Sequence, residues 1–186
     1  MSVQLLILAE ESVEKILISA CFLNNLVRYD GTAYDVKNKL GMEAQSIITR
    51  WQRQGRLISI CPEMSGGLPV PRPAAEIIQT DSLQINILQE NTAQVMTITG
   101  IDVTNEFRAG AYAALNQCVN EQITMAVLTE SSPSCGSTTI YSGKFNSEKI
   151  AGEGVTTTLL RLNGIQVFSQ FELAAADCYL NNLVNE

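Results

Sequence analysis

The stretch Ile16–Cys21, ILISAC, decides the fold. Ile16–Ala20 is a short apolar run without strict alternation, which reads as a strand buried on both faces. The same kind of run returns at Leu57–Ile60 (LISI), Gln94–Thr99 (QVMTIT), Thr124–Leu128 (TMAVL) and Ile165–Phe168 (IQVF). Helical patterns lie between them. Ala33–Gln54 carries Leu40, Ala44, Ile47, Ile48 and Trp51 at near-helical spacing, and Gly55 is a stop signal. Asp102–Asn120 has Thr104 as its N-cap, with Phe107, Ala111, Ala114, Leu115 and Cys118 on one face. Gly154–Leu162 and Phe171–Leu183 complete the set, while Gly66–Pro73 (GGLPVPRP) must be an extended loop. Strands alternating with helices predict an α/β fold, a mostly parallel sheet with helices on both faces. Its crossovers should be right-handed, and ligands should bind beyond the carboxyl ends of its strands.

The 186 residues suit one domain, expected over residues 15–186 after an N-terminal arm, residues 1–14. The arm has a short apolar patch but no basic region before it, so it is not read as a signal peptide. Packing on a second subunit of a homo-oligomer is one use for it. No apolar run approaches the roughly 20 residues that span a bilayer. A net charge of −7 argues against a nucleic-acid partner held through its phosphates, although a small anion remains compatible. Five cysteines, an odd number with no CxxC spacing, fit reduced thiols in a cytoplasm. Histidine is absent, which excludes Ser-His-Asp and Cys-His catalysis and every histidine-containing metal site.

Three of the cysteines fall at strand ends. Cys21 follows ILISA, Cys61 follows LISI, and Cys135 lies in the serine-rich loop after TMAVL. In a parallel sheet all three share the ligand-binding edge. Three thiols without histidine make a soft site. Zinc would want a fourth protein ligand, whereas a three-cysteine iron–sulfur cluster would leave one iron open, a Lewis acid with affinity for sulfur. Each cysteine is equally readable as a small buried hydrophobe. Cys118 and Cys178 lie on helices beside alanines and are assigned to the core.

Glu63, in Cys61-Pro62-Glu63, is the candidate for general acid–base work; its competing reading is a turn cap or a partner for Arg72. Arg72, between two prolines, binds an anion or braces its loop through Glu76, and bracing is preferred. Asp30, in the turn sequence RYDG, either serves the turn or helps shape the pocket wall. Ser132 and Ser134 flank Pro133 beside Cys135; they hold a polar substrate, donate to cluster sulfur, or cap a turn.

With these residues in view, the chain resembles the thiouracil desulfidase family, formerly a domain of unknown function. The resemblance rests on ILISACFLNNLVRYDG, ICPEMSGGLPVPRPAAEI, GIDVTNEFRAGAYAAL, AVLTESSPSCGSTTIYSGKF and GEGVTTTLLRLNGIQVFS. It implies a Rossmann-like fold and a [4Fe–4S] cluster on Cys21, Cys61 and Cys135. It further implies non-redox removal of sulfur from a thiolated pyrimidine by water, with hydrogen sulfide released. Glu63 and a serine of SPSC, Ser132 in preference to Ser134, would then assist catalysis; beside the resemblance, Ser134 and Asp30 are the candidates for substrate contact. Iron–sulfur assembly machinery would supply the cluster. Three departures bear on substrate preference: residues 1–14 lie outside the motifs, Asn24 stands where glycine is expected, and Thr129 where lysine is common. Sulfur transfer to an acceptor, or a metal-binding module without chemistry, are the rival functions.

Overall fold

The computed structural model describes residues 13–79 and 93–184. Apart from its last two residues, the N-terminal arm lies outside the described residues. In chain order the elements are β1 (Ile16–Ser19), α1 (Val36–Arg53), β2 (Leu57–Ile60), α2 (Pro62–Ser65), β3 (Ala75–Gln79), β4 (Ala93–Thr97), α3 (Thr104–Asn120), β5 (Met125–Leu128), β6 (Thr139–Tyr141), β7 (Lys149–Ala151), α4 (Val155–Leu162), β8 (Gln166–Ser169) and α5 (Leu173–Val184).

Ile16, Leu17 and Ile18 are fully buried because β1 has strands on both sides and helices on both faces. It pairs parallel with β2 (Ile16 opposite Leu57) and with β5 (Ile16 opposite Met125), and β8 adds in parallel outside β5. The order is β2-β1-β5-β8. Successive side chains alternate between two cores. Ile16 and Ile18 join Met125 and Val127 against Ile47, Ile48 and Trp51 of α1 and Ala176 and Leu180 of α5. Leu17 joins Ala126 and Leu128 against Ala114 and Cys118 of α3 and Leu160 of α4. Each fully buried Leu or Ile contributes about 1.5–3 kcal/mol. The crossovers β1-α1-β2 and β5-α4-β8 run in opposite directions along the sheet. Keeping one hand therefore requires their helices on opposite faces, which is where α1 and α4 lie.

Several expectations change. The run at Gln94–Thr99 is not part of the main sheet: β4 pairs antiparallel with β3 in a separate two-stranded sheet. Its burial alternates, with Ala93, Val95 and Thr97 buried and Gln94 exposed, as a half-covered strand requires. The hairpin β6–β7 lies where no element was expected. Thr104 is the first helical residue of α3, not its cap. Asp102 Oδ1 accepts from Thr104 N–H and Oγ1–H, and Thr104 Oγ1 accepts from Val95 N–H of β4. Cys178 is exposed, because α5 buries the face carrying Leu173, Ala176 and Leu180. Cys118 is in the core at 1 % exposure. Among the described residues no helix is long and apolar enough to cross a membrane.

Candidate active site

The three strand-end cysteines gather at the carboxyl edge of the sheet, where the strand order reverses between β1 and β5. Open α/β sheets bind ligands at such a switch point. Past Ser19 the chain turns through a 3₁₀ segment, Ala20–Leu23, which carries Cys21 and ends at Asn24 with φ 62°. Glycine adopts that left-handed backbone freely and asparagine tolerates it, so Asn24 keeps the turn. Past Ile60, Cys61 is the N-cap of α2, with Pro62 in the first turn of the helix, where a missing N–H costs nothing. Past Leu128, the loop 129–135 leads to Cys135. Cys21 and Cys135 are buried and Cys61 is partly so.

Glu63 joins two of these segments. Its Oε2 accepts from Cys61 Sγ at 3.4 Å and its Oε1 from Ser132 Oγ at 3.4 Å. Ser132 Oγ in turn accepts from the N–H groups of Ser134 (3.1 Å) and Cys135 (3.2 Å). With both lone-pair directions engaged, the Ser132 hydroxyl is left to donate, and it donates to Glu63. Arg72 Nη2 lies 3.7 Å from Glu63 Oε1. The same guanidinium donates through Nη1 to the carbonyls of Val27 (3.2 Å) and Pro69 (3.4 Å), and Arg72 N–H donates to Tyr29 O. Arg72 therefore braces the proline loop against the Cys21 segment and Glu63. Glu76, the partner first expected for it, instead accepts from Phe145 N–H.

The remaining candidates sit differently. Ser134 has no solvent exposure, and its hydroxyl shares a 2.9 Å bond with Thr156 Oγ1 of α4. Asp30 is exposed and accepts from Thr32 N–H and Oγ1–H, with Arg28 Nε 3.8 Å away. Sequence reasoning missed two supports of the Cys135 loop. Glu130 accepts from the N–H groups of Ser131, Ser137, Thr138 and Thr139, and from the hydroxyls of Ser137 and Thr139. The first turn of α4 donates back to the loop: Val155 N–H to Pro133 O, Thr156 N–H to Ser134 O, and Thr157 Oγ1–H to Cys135 O. The only sequence signal for the second support was the Gly-rich start of GEGVTTT, which allows this close approach.

Burial pushes all three thiols up: Cys61 to about 11, where the Glu63 carboxylate adds to the effect, and Cys135 well above the usual range. Cys21 is raised by burial, which outweighs its Thr129 hydrogen bond and the nearby Arg28. The Glu63 carboxylate adds to the rise at Cys21, Cys61 and Cys135 alike, so it lies within electrostatic reach of all three thiols. None is a low-pKa nucleophile: burial favours the neutral thiol at each position. Among the described residues no group of three or more Cys, Asp or Glu is disposed to hold a single ion. Iron–sulfur clusters are held by cysteine thiolates, and three thiols without histidine are a soft donor set. The donor set fits an iron–sulfur cluster.

Fold and site together describe an α/β protein with three thiols and a carboxylate brought to the switch point of its parallel sheet. Residues 16–172 match the family described as 2-thiouracil desulfurase, and the chain belongs to that family. It is 35 % identical over 158 residues to the uncharacterized protein YbbK of Bacillus subtilis (strain 168), covering 85 % of this chain and 97 % of the relative. It is also similar to the solved structure of the [4Fe-4S]-dependent thiouracil desulfidase TudS. That match has a TM-score of 0.77 and 42 % identity, and covers 91 % of this chain and 99 % of the other.

Proposed function

We propose that the protein is a [4Fe–4S]-dependent desulfidase that replaces the sulfur of a thiolated uracil with oxygen from water, with Cys21, Cys61 and Cys135 as the cluster ligands. The observation that carries this reading is the Ser132–Glu63–Cys61 contact beside the other two thiols. When bound, the cluster supplies one iron without a protein ligand, a Lewis-acidic position with affinity for sulfur. Glu63 is the proton carrier. Ser132 holds its Oε1, and once Cys61 is a thiolate it no longer donates to Oε2. That oxygen is then open to take a proton from water. The net change is thiouracil plus water to uracil plus hydrogen sulfide; no electrons are gained or lost, so no redox partner is needed. Ser134 and Asp30 belong to the scaffold in this reading, because their polar groups are engaged by Thr156 and Thr32.

The test is Glu63→Gln in anaerobically reconstituted protein. Cluster absorbance should match the wild type, while sulfide release from 2-thiouracil falls by about 10²–10⁴-fold. Full turnover by the variant would remove Glu63 from the mechanism. A parallel assay with thiouridine monophosphate separates free base from nucleotide, and transfer of sulfur to an acceptor in place of free sulfide would favour the transferase reading.

The finer description of the fold as Rossmann-like draws support from the doubly wound order β2-β1-β5-β8. A single catalytic domain over residues 15–186 is consistent with a family match spanning residues 16–172. A cytoplasmic setting, with clusters supplied by assembly machinery, follows from the need for reduced thiols.

A further inference from the structure

We propose that Thr129 and Ser19 form a hydrogen-bonded bridge between the sulfurs of Cys21 and Cys135, and that this bridge sets how strongly the two thiolates donate to the cofactor. The inference rests on the reading of these cysteines as cluster ligands. Three consecutive contacts make the bridge. Thr129 Oγ1 lies 3.2 Å from Cys21 Sγ. Thr129 N–H donates to Ser19 Oγ at 3.1 Å. Ser19 Oγ–H donates to Cys135 Sγ at 3.9 Å. Ser19 is the last residue of β1 and 4 % exposed, and Thr129 is the first residue beyond β5. They meet because β1 and β5 are neighbours at the point where the strand order reverses.

The direction of each bond follows from the ligand state. A thiolate has no proton, so it can only accept, and both hydroxyls must then donate to sulfur. Ser19 can do so because its oxygen is oriented by the Thr129 N–H. Each O–H···S contact draws electron density from a thiolate, leaving the metal centre more electron-poor and raising its reduction potential. Neither residue is placed against substrate, so both are positioning residues. A hydroxyl at position 129 performs this task without adding a charge beside the thiols.

The experiment uses full-length wild type, Thr129→Val, Ser19→Ala and Thr129→Ser, all reconstituted anaerobically. The deciding readout is the cluster reduction potential, followed optically during titration. Thr129→Val and Ser19→Ala should shift it to more negative values, and Thr129→Ser should restore the wild-type value. Iron retention against a chelator should weaken by about 10–100-fold in the first two variants. Unchanged potentials in Thr129→Val and Ser19→Ala, or failure of Thr129→Ser to restore the shift, would overturn the bridge while leaving the cluster assignment standing. Wild-type protein that takes up no cluster would overturn the assignment itself, and the bridge with it.

Discussion

At Glu130 one carboxylate orders the loop that presents Cys135. Burial alone would raise its pKa. Hydrogen bonds from the Ser137 hydroxyl and the N–H groups of Thr139, Thr138 and Ser131 more than offset that, and hold it at about 2. The ionised form is therefore favoured in the folded state. The resulting stabilisation is fully present above the unfolded value near 4.5 and is lost as pH falls from there towards 2. Glu130→Gln should lower stability at pH 7 by about 1–3 kcal/mol in urea melts. The gap between the two proteins should close as pH drops through that window. A gap that persists unchanged at pH 2 would mean the carboxylate's charge has no part in holding the loop. Nothing in LTESSPSC announces this role, because four of the donors are backbone N–H groups whose convergence depends on the loop's path. Cys21, Cys61 and Cys135 were legible because each directly follows, or lies a few residues beyond, a strand whose end the sequence marks. Cys178 was misplaced because its alanine neighbours do not reveal which side of α5 faces the sheet.

Among the elements, α2 and α4 hold the site through glycine contacts. A Cβ on Gly110 of α3 would fall 2.0 Å from Pro62 O, and one on Gly154 would fall 2.3 Å from Ser134 O. Both are backbone contacts, so the added methyl must move the segment bearing Cys61 and Glu63, or the one bearing Cys135. Gly110→Ala and Gly154→Ala should each destabilise the protein by about 1–3 kcal/mol in thermal melts and lower its cluster content. Wild-type stability and cluster content in both variants would show that the close approach is not needed. The helices themselves were readable from apolar spacing, as Ile47, Ile48 and Trp51 illustrate. The pairing of β4 with β3 was not, since a short apolar run does not say which strand it will meet. Thr104 shows the same limit on a smaller scale: it looks like a cap, but it is the first helical residue, and Val103 holds the cap position without a side-chain hydrogen bond.

For the whole molecule, the parallel sheet converts three distant positions in the chain into one edge, and the segments beyond that edge supply Glu63, on α2, and Ser132 and Arg72, on loops. Alternation of strands and helices was enough to predict that edge, and the absence of histidine narrowed its chemistry to thiols and carboxylates. What composition and spacing left open was whether the thiols are ligands or filler. The carboxylate between Cys61 and Ser132 and the family match favour ligands. The most direct test is iron and acid-labile sulfide analysis of anaerobically reconstituted wild type and of the five single Cys→Ala variants. About four irons and four sulfides per chain are expected in wild type, Cys118→Ala and Cys178→Ala. Cys21→Ala, Cys61→Ala and Cys135→Ala should lose most of both. Full cluster content in any one of these last three, or its loss in Cys178→Ala alone, would contradict the account.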